Sequence, residues 1–154
     1  MVAQEHDVVF LIQRYMYSWA FFALLSAGFA ALVAIFGKIG LAGIDTTLAT
    51  TVRAAIMAAF LIALSFALGK AGLLSTLSGK AIAFIALSGV AGALSWLFYF
   101  FALQKGPASG VAALDRLSVV FVLVLAVLFL GEHFTLKAAA GALLVVAGAV
   151  LMSL

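Results

Sequence analysis

Five apolar runs divide residues 19–154: Trp19 to Ile39, Leu48 to Leu68, Ile82 to Leu103, Ala108 to Leu130, and Thr135 to Leu154. A bilayer core of roughly 30 Å asks for about 20 consecutive apolar residues per helix, so each run is long enough to cross it. The runs are also too long and too unbroken for the alternating segments of an outer-membrane barrel. That leaves helices, which satisfy their backbone polar groups within each span. The chain reads as an all-α integral membrane protein with five transmembrane helices. With 68% hydrophobic and 8% charged residues, it cannot furnish the polar coat of a soluble globule.

The breaks between runs carry turn chemistry. Gly40 to Thr47 holds Gly43 and Asp45, and Gly69 to Ala81 holds two lysines, three glycines and three hydroxyl residues. Lys105-Gly106-Pro107 stops one helix and starts the next, and Gly131-Glu132-His133 caps the fourth. Short connections make neighbouring helices antiparallel. Residues 1-16 read as an N-terminal apolar or interfacial segment, because Val8 to Tyr17 is too short to span and is interrupted by Gln13 and Arg14. Glu5 and Asp7 stand where a secretory signal carries positive charge, so no cleavage is expected.

Several function classes fall away. Eight basic and five acidic residues are too few for the basic stripe of a nucleic-acid binder. No cysteine is present, which excludes a disulfide framework and thiolate metal sites. His6 and His133 lack the spacing of a metal pair, so neither a metal nor a cofactor is expected. The spans hold no Ser/His/Asp set and no paired carboxylates, so an enzyme is not expected either.

The third span carries a distinctive face. Ser88, Gly92, Ser95 and Tyr99 recur at spacings of four, three and four, with Trp96 beside them. A face that is small and polar at one end and aromatic at the other suits a cavity wall; hydroxyls bonded to their own helix, with aromatics at the membrane interface, would give the same pattern.

The fourth span holds Asp115 and Arg116 inside its apolar run. A helix starting near Ala108 places Asp115 roughly 10 Å along the axis. Each ionised residue near a helix centre costs about 2.5 to 3.5 kcal/mol, which the following Leu, Val and Phe offset at roughly 0.3 to 0.6 kcal/mol each, so the segment still inserts. Asp115 shares its face with Ala108, Val111, Ala112 and Ser118, small groups that favour protein or water over lipid. A later helix start would make the pair a cap and a snorkelling anchor instead. Arg53, after the candidate caps Thr50 and Thr51, poses the same choice between a site residue and a snorkelling one. Lys38 and Lys105 read as interface anchors. In the last span Gly141 and Gly148 lie seven apart on one face, suited to close packing within the chain or between two chains.

Orientation is balanced. Arg14, Lys70, Lys80 and Lys137 fall on the side of the N-terminus and Lys38, Arg53, Lys105 and Arg116 towards the other, which accounts for all eight basic residues. The positive-inside rule then picks no side, and insertion in both directions, a dual topology, is the expectation.

The run ALQKGPASGVAALDRLSVVFVLVLAVLFLGEHFTLKAAAGALLVVAGAVLM resembles the second part of an EamA domain of the drug/metabolite transporter superfamily. The marks are AL before a short loop, small residues opening the fourth helix, LGE at its end, and a last helix of the G-A-L-L-x-x-A-G type. Upstream, AIFGKIGLAGIDTTLATTVRAAIM resembles the family's first loop and second-helix arginine. The likeness covers residues 17-154. Most relatives carry two such domains, ten helices in inverted repeat, and many have a proline where Leu117-Ser118-Val119 stands here. The last helix is also similar to that of small multidrug resistance proteins, but no carboxylate lies between Trp19 and Ile39, where those carry an essential glutamate.

The resemblance implies half of a ten-helix inverted-repeat transporter in the inner or plasma membrane. Such a protein would move a small-molecule substrate, a metabolite or drug, by alternating access at a site near the midplane. Its partners would be the lipid bilayer and a second copy of the chain in an antiparallel homodimer. Asp115, Arg116, Arg53, Ser95, Trp96, Tyr99 and Ser88 are the candidate substrate or coupling residues, and Gly141, Gly148 and Gly92 the packing or dimer residues. The alternative is an accessory or assembly membrane subunit that transports nothing.

Overall fold

In the computed structural model, backbone is described from Val2 to Leu154 and side chains from Trp19 onward; the expected role of residues 1-16 lies outside the described side chains. Six α-helices account for most of it: α1 (Val2–Gly40), α2 (Thr46–Ala67), α3 (Gly79–Lys105), α4 (Ala108–Asp115), α5 (Ser118–Leu125) and α6 (Leu136–Ser153). A 3₁₀ turn (Ala71–Thr76) precedes α3 and a π-helical turn (Ala126–Leu130) follows α5. No strand occurs among the described residues. Five spans are long and apolar enough to cross a bilayer: Trp19–Gly40, Thr46–Ala67, Gly79–Lys105, Ala108–Leu130 and Leu136–Ser153. They match the five expected runs to within a few residues.

Local chemistry sets the helix starts. Asp45 is the N-cap of α2, its carboxylate accepting from the Leu48 N–H at 2.8 Å, so the helix begins before the expected Leu48. Thr50 and Thr51, the expected caps, lie inside α2 and donate their hydroxyls to Thr46 O at 2.7 Å and Thr47 O at 2.8 Å. Ser78 caps α3 by accepting from Ala81 N–H at 3.2 Å, and Thr135 caps α6 by accepting from Ala138 N–H at 3.1 Å. The fourth span ends at Gly131, whose φ of 69° and ψ of 23° are left-handed. Only glycine takes that conformation without strain.

The chain divides into two compact units, 1–36 and 37–154. In the first, the described part of α1 presents Phe21, Phe22, Leu24 and Phe29 outward. In the second, α2 pairs with α3, and α4 and α5 pair with α6. The buried cluster joins Leu41, Phe100, Leu103 and Val111, flanked by Ala49, Trp96, Tyr99 and Ala108. It gathers where the α1–α2 and α3–α4 connections lie, at one end of the spans. Thr46 is buried there as well, its hydroxyl oxygen without a partner among the described residues. Elsewhere the large side chains point outward, with Phe60 66% and Phe129 79% exposed. A continuous apolar exterior of this kind is what a bilayer solvates.

Two backbone approaches shape this unit. At Gly37 a Cβ would sit 2.5 Å from Phe100 Cε1, and at Gly110 it would sit 3.3 Å from the Met152 carbonyl oxygen. The absent side chains let the end of α1 meet α3, and α4 meet α6. Lys38, expected as an interface anchor, is half-buried and donates its ammonium to the carbonyls of Leu103 and, at 2.9 Å, of Gly106. It thereby satisfies acceptors that the end of α3 leaves free.

Candidate functional site

α2 and α3 enclose an open-sided cleft of about 670 Å³. Its α2 wall is Thr47, Thr51, Ala54, Ala58 and Leu61, a single helical face, with Thr50, Arg53 and Met57 at its margin. Its α3 wall is Gly89, Gly92, Ala93, Trp96 and Leu97. Arg53 is the one charged residue among these, and no carboxylate lines the cleft.

Arg53 stands roughly 10 Å along α2, about a third of the way across the hydrocarbon. Its guanidinium carbon lies 3.7 Å from the centroid of the Trp96 ring and 5.3 Å from that of Phe100. The Trp96 ring is held in turn by Tyr99, edge to face at 5.5 Å, and by Phe100 at 5.9 Å. A cation over an aromatic face gains about 0.5 to 2 kcal/mol, against about 2.5 to 3.5 kcal/mol for an arginine near a helix centre. The aromatic contact therefore offsets only part of the cost of holding this charge in the span.

The Trp96 end of the expected α3 face borders the cleft, but the face that lines the cleft is turned from it by about one residue. Gly92 and Trp96 line the cleft, whereas Ser88 and Ser95 are exposed outside it and Tyr99 packs behind Trp96. One residue is about 100° around a helix. The α2 wall went unremarked in the sequence, although Thr47, Thr51, Ala54, Ala58 and Leu61 recur at spacings of four, three, four and three.

The charged pair of the fourth span sits at a break. α4 starts at Ala108 and ends at Asp115; Arg116 and Leu117 form the link to α5. Here Arg116 N–H donates to Ala113 O at 3.1 Å and Leu117 N–H to Leu114 O at 3.0 Å, the tighter i−3 pattern in place of i−4. The same pattern continues as Val119 N–H donates to Arg116 O at 3.1 Å. The interruption arises without the family's proline. Asp115 is half-buried and Arg116 exposed. Among the described residues, Asp115 forms no salt bridge within 4.0 Å with Arg116 or with Arg53.

Of the expected packing glycines, none approaches another helix closely: a Cβ at Gly92, Gly141 or Gly148 would meet nothing within 4 Å. Close packing within the chain falls instead to Gly37 and Gly110.

A family model for EamA-like transporters matches residues 17–154. The chain is also similar to a Sinorhizobium sp. protein described as an uncharacterized transporter in the cobO 3' region. The two are 45% identical over 136 residues, which cover 88% of this chain and 96% of that protein. No solved structure matches.

Proposed function

The chain belongs to the EamA-like transporter family and is on that ground a multi-pass membrane transporter; from this premise we propose that it carries small organic molecules across the plasma membrane by alternating access, as an antiparallel homodimer. The observation that carries the reading is the α2–α3 cleft, which sets an incompletely compensated cation inside a span. Intramembrane charges facing a cavity mark substrate or ion pathways, and a volume of about 670 Å³ falls within the range of small-molecule sites.

Each structural element has a part in that cycle. Arg53 and Trp96 form the substrate-facing group. Asp115, half-buried next to the break in the fourth span, is the coupling carboxylate, and the break is where that span bends as access alternates. Two copies in opposite orientations supply the ten helices of the inverted repeat. Support for pairing comes from the Sinorhizobium protein, 96% of which is covered by the match, so that relative is about as long as one such unit. Gly141 and Gly148, where an added Cβ would meet nothing within 4 Å, offer a face on which a second copy can approach closely.

Purified protein in liposomes tests this directly. Uptake of pooled metabolites, driven by an imposed gradient and absent from protein-free vesicles, is the expected result. Failure to move any solute in sealed vesicles, with the protein folded and dimeric, would favour the accessory-subunit reading.

A further inference from the structure

The cleft between α2 and α3 also indicates the charge of its cargo. We infer that it binds a small organic monocarboxylate with a flat apolar body, the carboxylate on Arg53 and the body along the α3 wall. The inference rests on the transporter reading for the use of the site and adds the class of substrate.

The donors are the first ground. Thr50 and Thr51 spend their hydroxyl protons on Thr46 O and Thr47 O, at 2.7 and 2.8 Å, so within the cleft they present acceptor oxygens. Of the other lining donors, the Thr47 hydroxyl and the Trp96 indole N–H are neutral, and the one charged donor is the Arg53 guanidinium, whose planar fork matches a carboxylate with two parallel N–H···O bonds. Neither a carboxylate nor a second cation lines the cleft, so a cationic cargo meets no counter-charge and is repelled by Arg53, whereas an anion is drawn to Arg53 with no carboxylate competing for it. In place of an anion, the guanidinium rests on the Trp96 face at 3.7 Å. An aromatic ring holds the cation without saturating its N–H groups, which stay available to an incoming acceptor.

The shape of the wall is the second ground. Gly89, Gly92 and Ala93 carry no side chain beyond Cβ, and Ala54 and Ala58 face them from α2. The space between is apolar, with Leu61 towards the end remote from Arg53. A ring lies there without displacing a large side chain. A dicarboxylate would place its second charge against this apolar stretch, unpaired.

Tryptophan emission reports on the site. Trp19 and Trp96 are the two tryptophans of the chain, and Trp19 is 65% exposed in the other unit. Trp19→Phe therefore leaves Trp96 as the sole reporter. Titration of that variant in detergent with benzoate should change Trp96 emission saturably, whereas benzamide and benzylamine, of similar size but neutral and cationic, should not. Arg53→Lys, which keeps the charge but loses the fork, should weaken benzoate binding about tenfold, and Arg53→Gln should weaken it further. Equal binding of benzoate and benzamide or benzylamine by the Trp19→Phe protein overturns the inference, as does undiminished benzoate affinity in a folded Arg53→Gln variant. The comparison among ligands needs no arginine variant, so misfolding of one does not blunt the test. Saturable benzoate binding with no uptake of any solute in liposomes upholds the anion site and refutes the transport reading. Uptake of neutral or cationic solutes without benzoate binding does the reverse.

Discussion

Gly37→Ala tests how the core end of the 37–154 unit is held together. The new Cβ would lie 2.5 Å from Phe100 Cε1 and 3.4 Å from both Phe100 Cζ and Leu103 Cδ1. Ordinary carbon contacts lie at about 3.5 to 4.0 Å, so the Phe100 ring must retreat by roughly 1 Å. It has little room, since Phe100 is 3% and Leu103 0% exposed. Overpacking of this kind costs about 1 to 3 kcal/mol. Helical glycine to alanine otherwise gains about 0.5 to 1 kcal/mol, so the net loss should be about 0 to 2.5 kcal/mol. Gly28→Ala is the control: it lies in the same helix, and its Cβ would meet nothing within 4 Å, so it should show the gain alone. The difference between the two variants then isolates the overpacking. Equilibrium unfolding in mixed micelles measures both, and Phe100→Leu in the Gly37→Ala background should recover part of the loss non-additively. Equal stability of Gly37→Ala and Gly28→Ala would refute the claim that Gly37 and Phe100 set this helix contact. Because Phe100 also packs on Trp96 at 5.9 Å, Gly37→Ala should shift Trp96 emission too.

Other perturbations address the transport cycle. Asp115→Asn keeps shape and hydrogen bonding but deletes the charge; it should elute as the same assembly yet lose the dependence of uptake on a pH gradient, and normal rate with normal pH dependence would make Asp115 a structural residue. Gly141→Leu with Gly148→Leu should leave the folded chain intact, because both positions open onto free space, while abolishing crosslinked dimers in lipid; monomers of the unmodified chain that still transport would refute the homodimer. Two lysines added between Lys70 and Lys80 should fix one orientation by the positive-inside rule. Paired C-terminal reporters should then both be active on the unmodified chain and only one on the lysine variant; a single active reporter from the start would refute dual insertion.

The spans were legible because membrane crossing is a matter of length and polarity, both of which are written along the chain. Helix starts were legible only in part: Asp45, Ser78 and Thr135 are ordinary capping residues, but Thr50 and Thr51 competed for the same role and lost to Asp45, which comes earlier in the chain. What depends on rotation about a helix axis was harder to read. The hydroxyls of Ser88 and Ser95 mark one face of α3, whereas the cleft is lined by Gly89 and Ala93, small residues whose contribution is the space they leave. Gly141 and Gly148 stood out by their spacing, whereas Gly37 and Gly110 take part in packing because of what faces them, Phe100 and Met152, 63 and 42 residues away by the numbering. The break at Arg116 had no local marker either, since neither proline nor glycine occurs there. Its position coincides with the one charged pair inside a span.

That break differs in kind from a proline kink. A proline ring excludes the i−4 bond permanently, whereas Arg116 and Leu117 keep their N–H groups and lie at φ −66°, ψ −12° and φ −60°, ψ −19°. The α-helical ψ is about −42°, so each residue is some 25 to 30° of rotation from a continuous helix. Straightening exchanges i−3 bonds for i−4 bonds and strands no donor in the lipid. The i−3 and i−4 forms of this link are therefore matched in backbone bonding, and their ratio is set by small biases. A difference of about 1.4 kcal/mol, near the net worth of a single hydrogen bond, moves such a ratio tenfold. A single contact made or lost by Asp115 or Arg116 acts on that scale, so the missing proline leaves the span as a two-position joint whose population the charged pair beside it can tip.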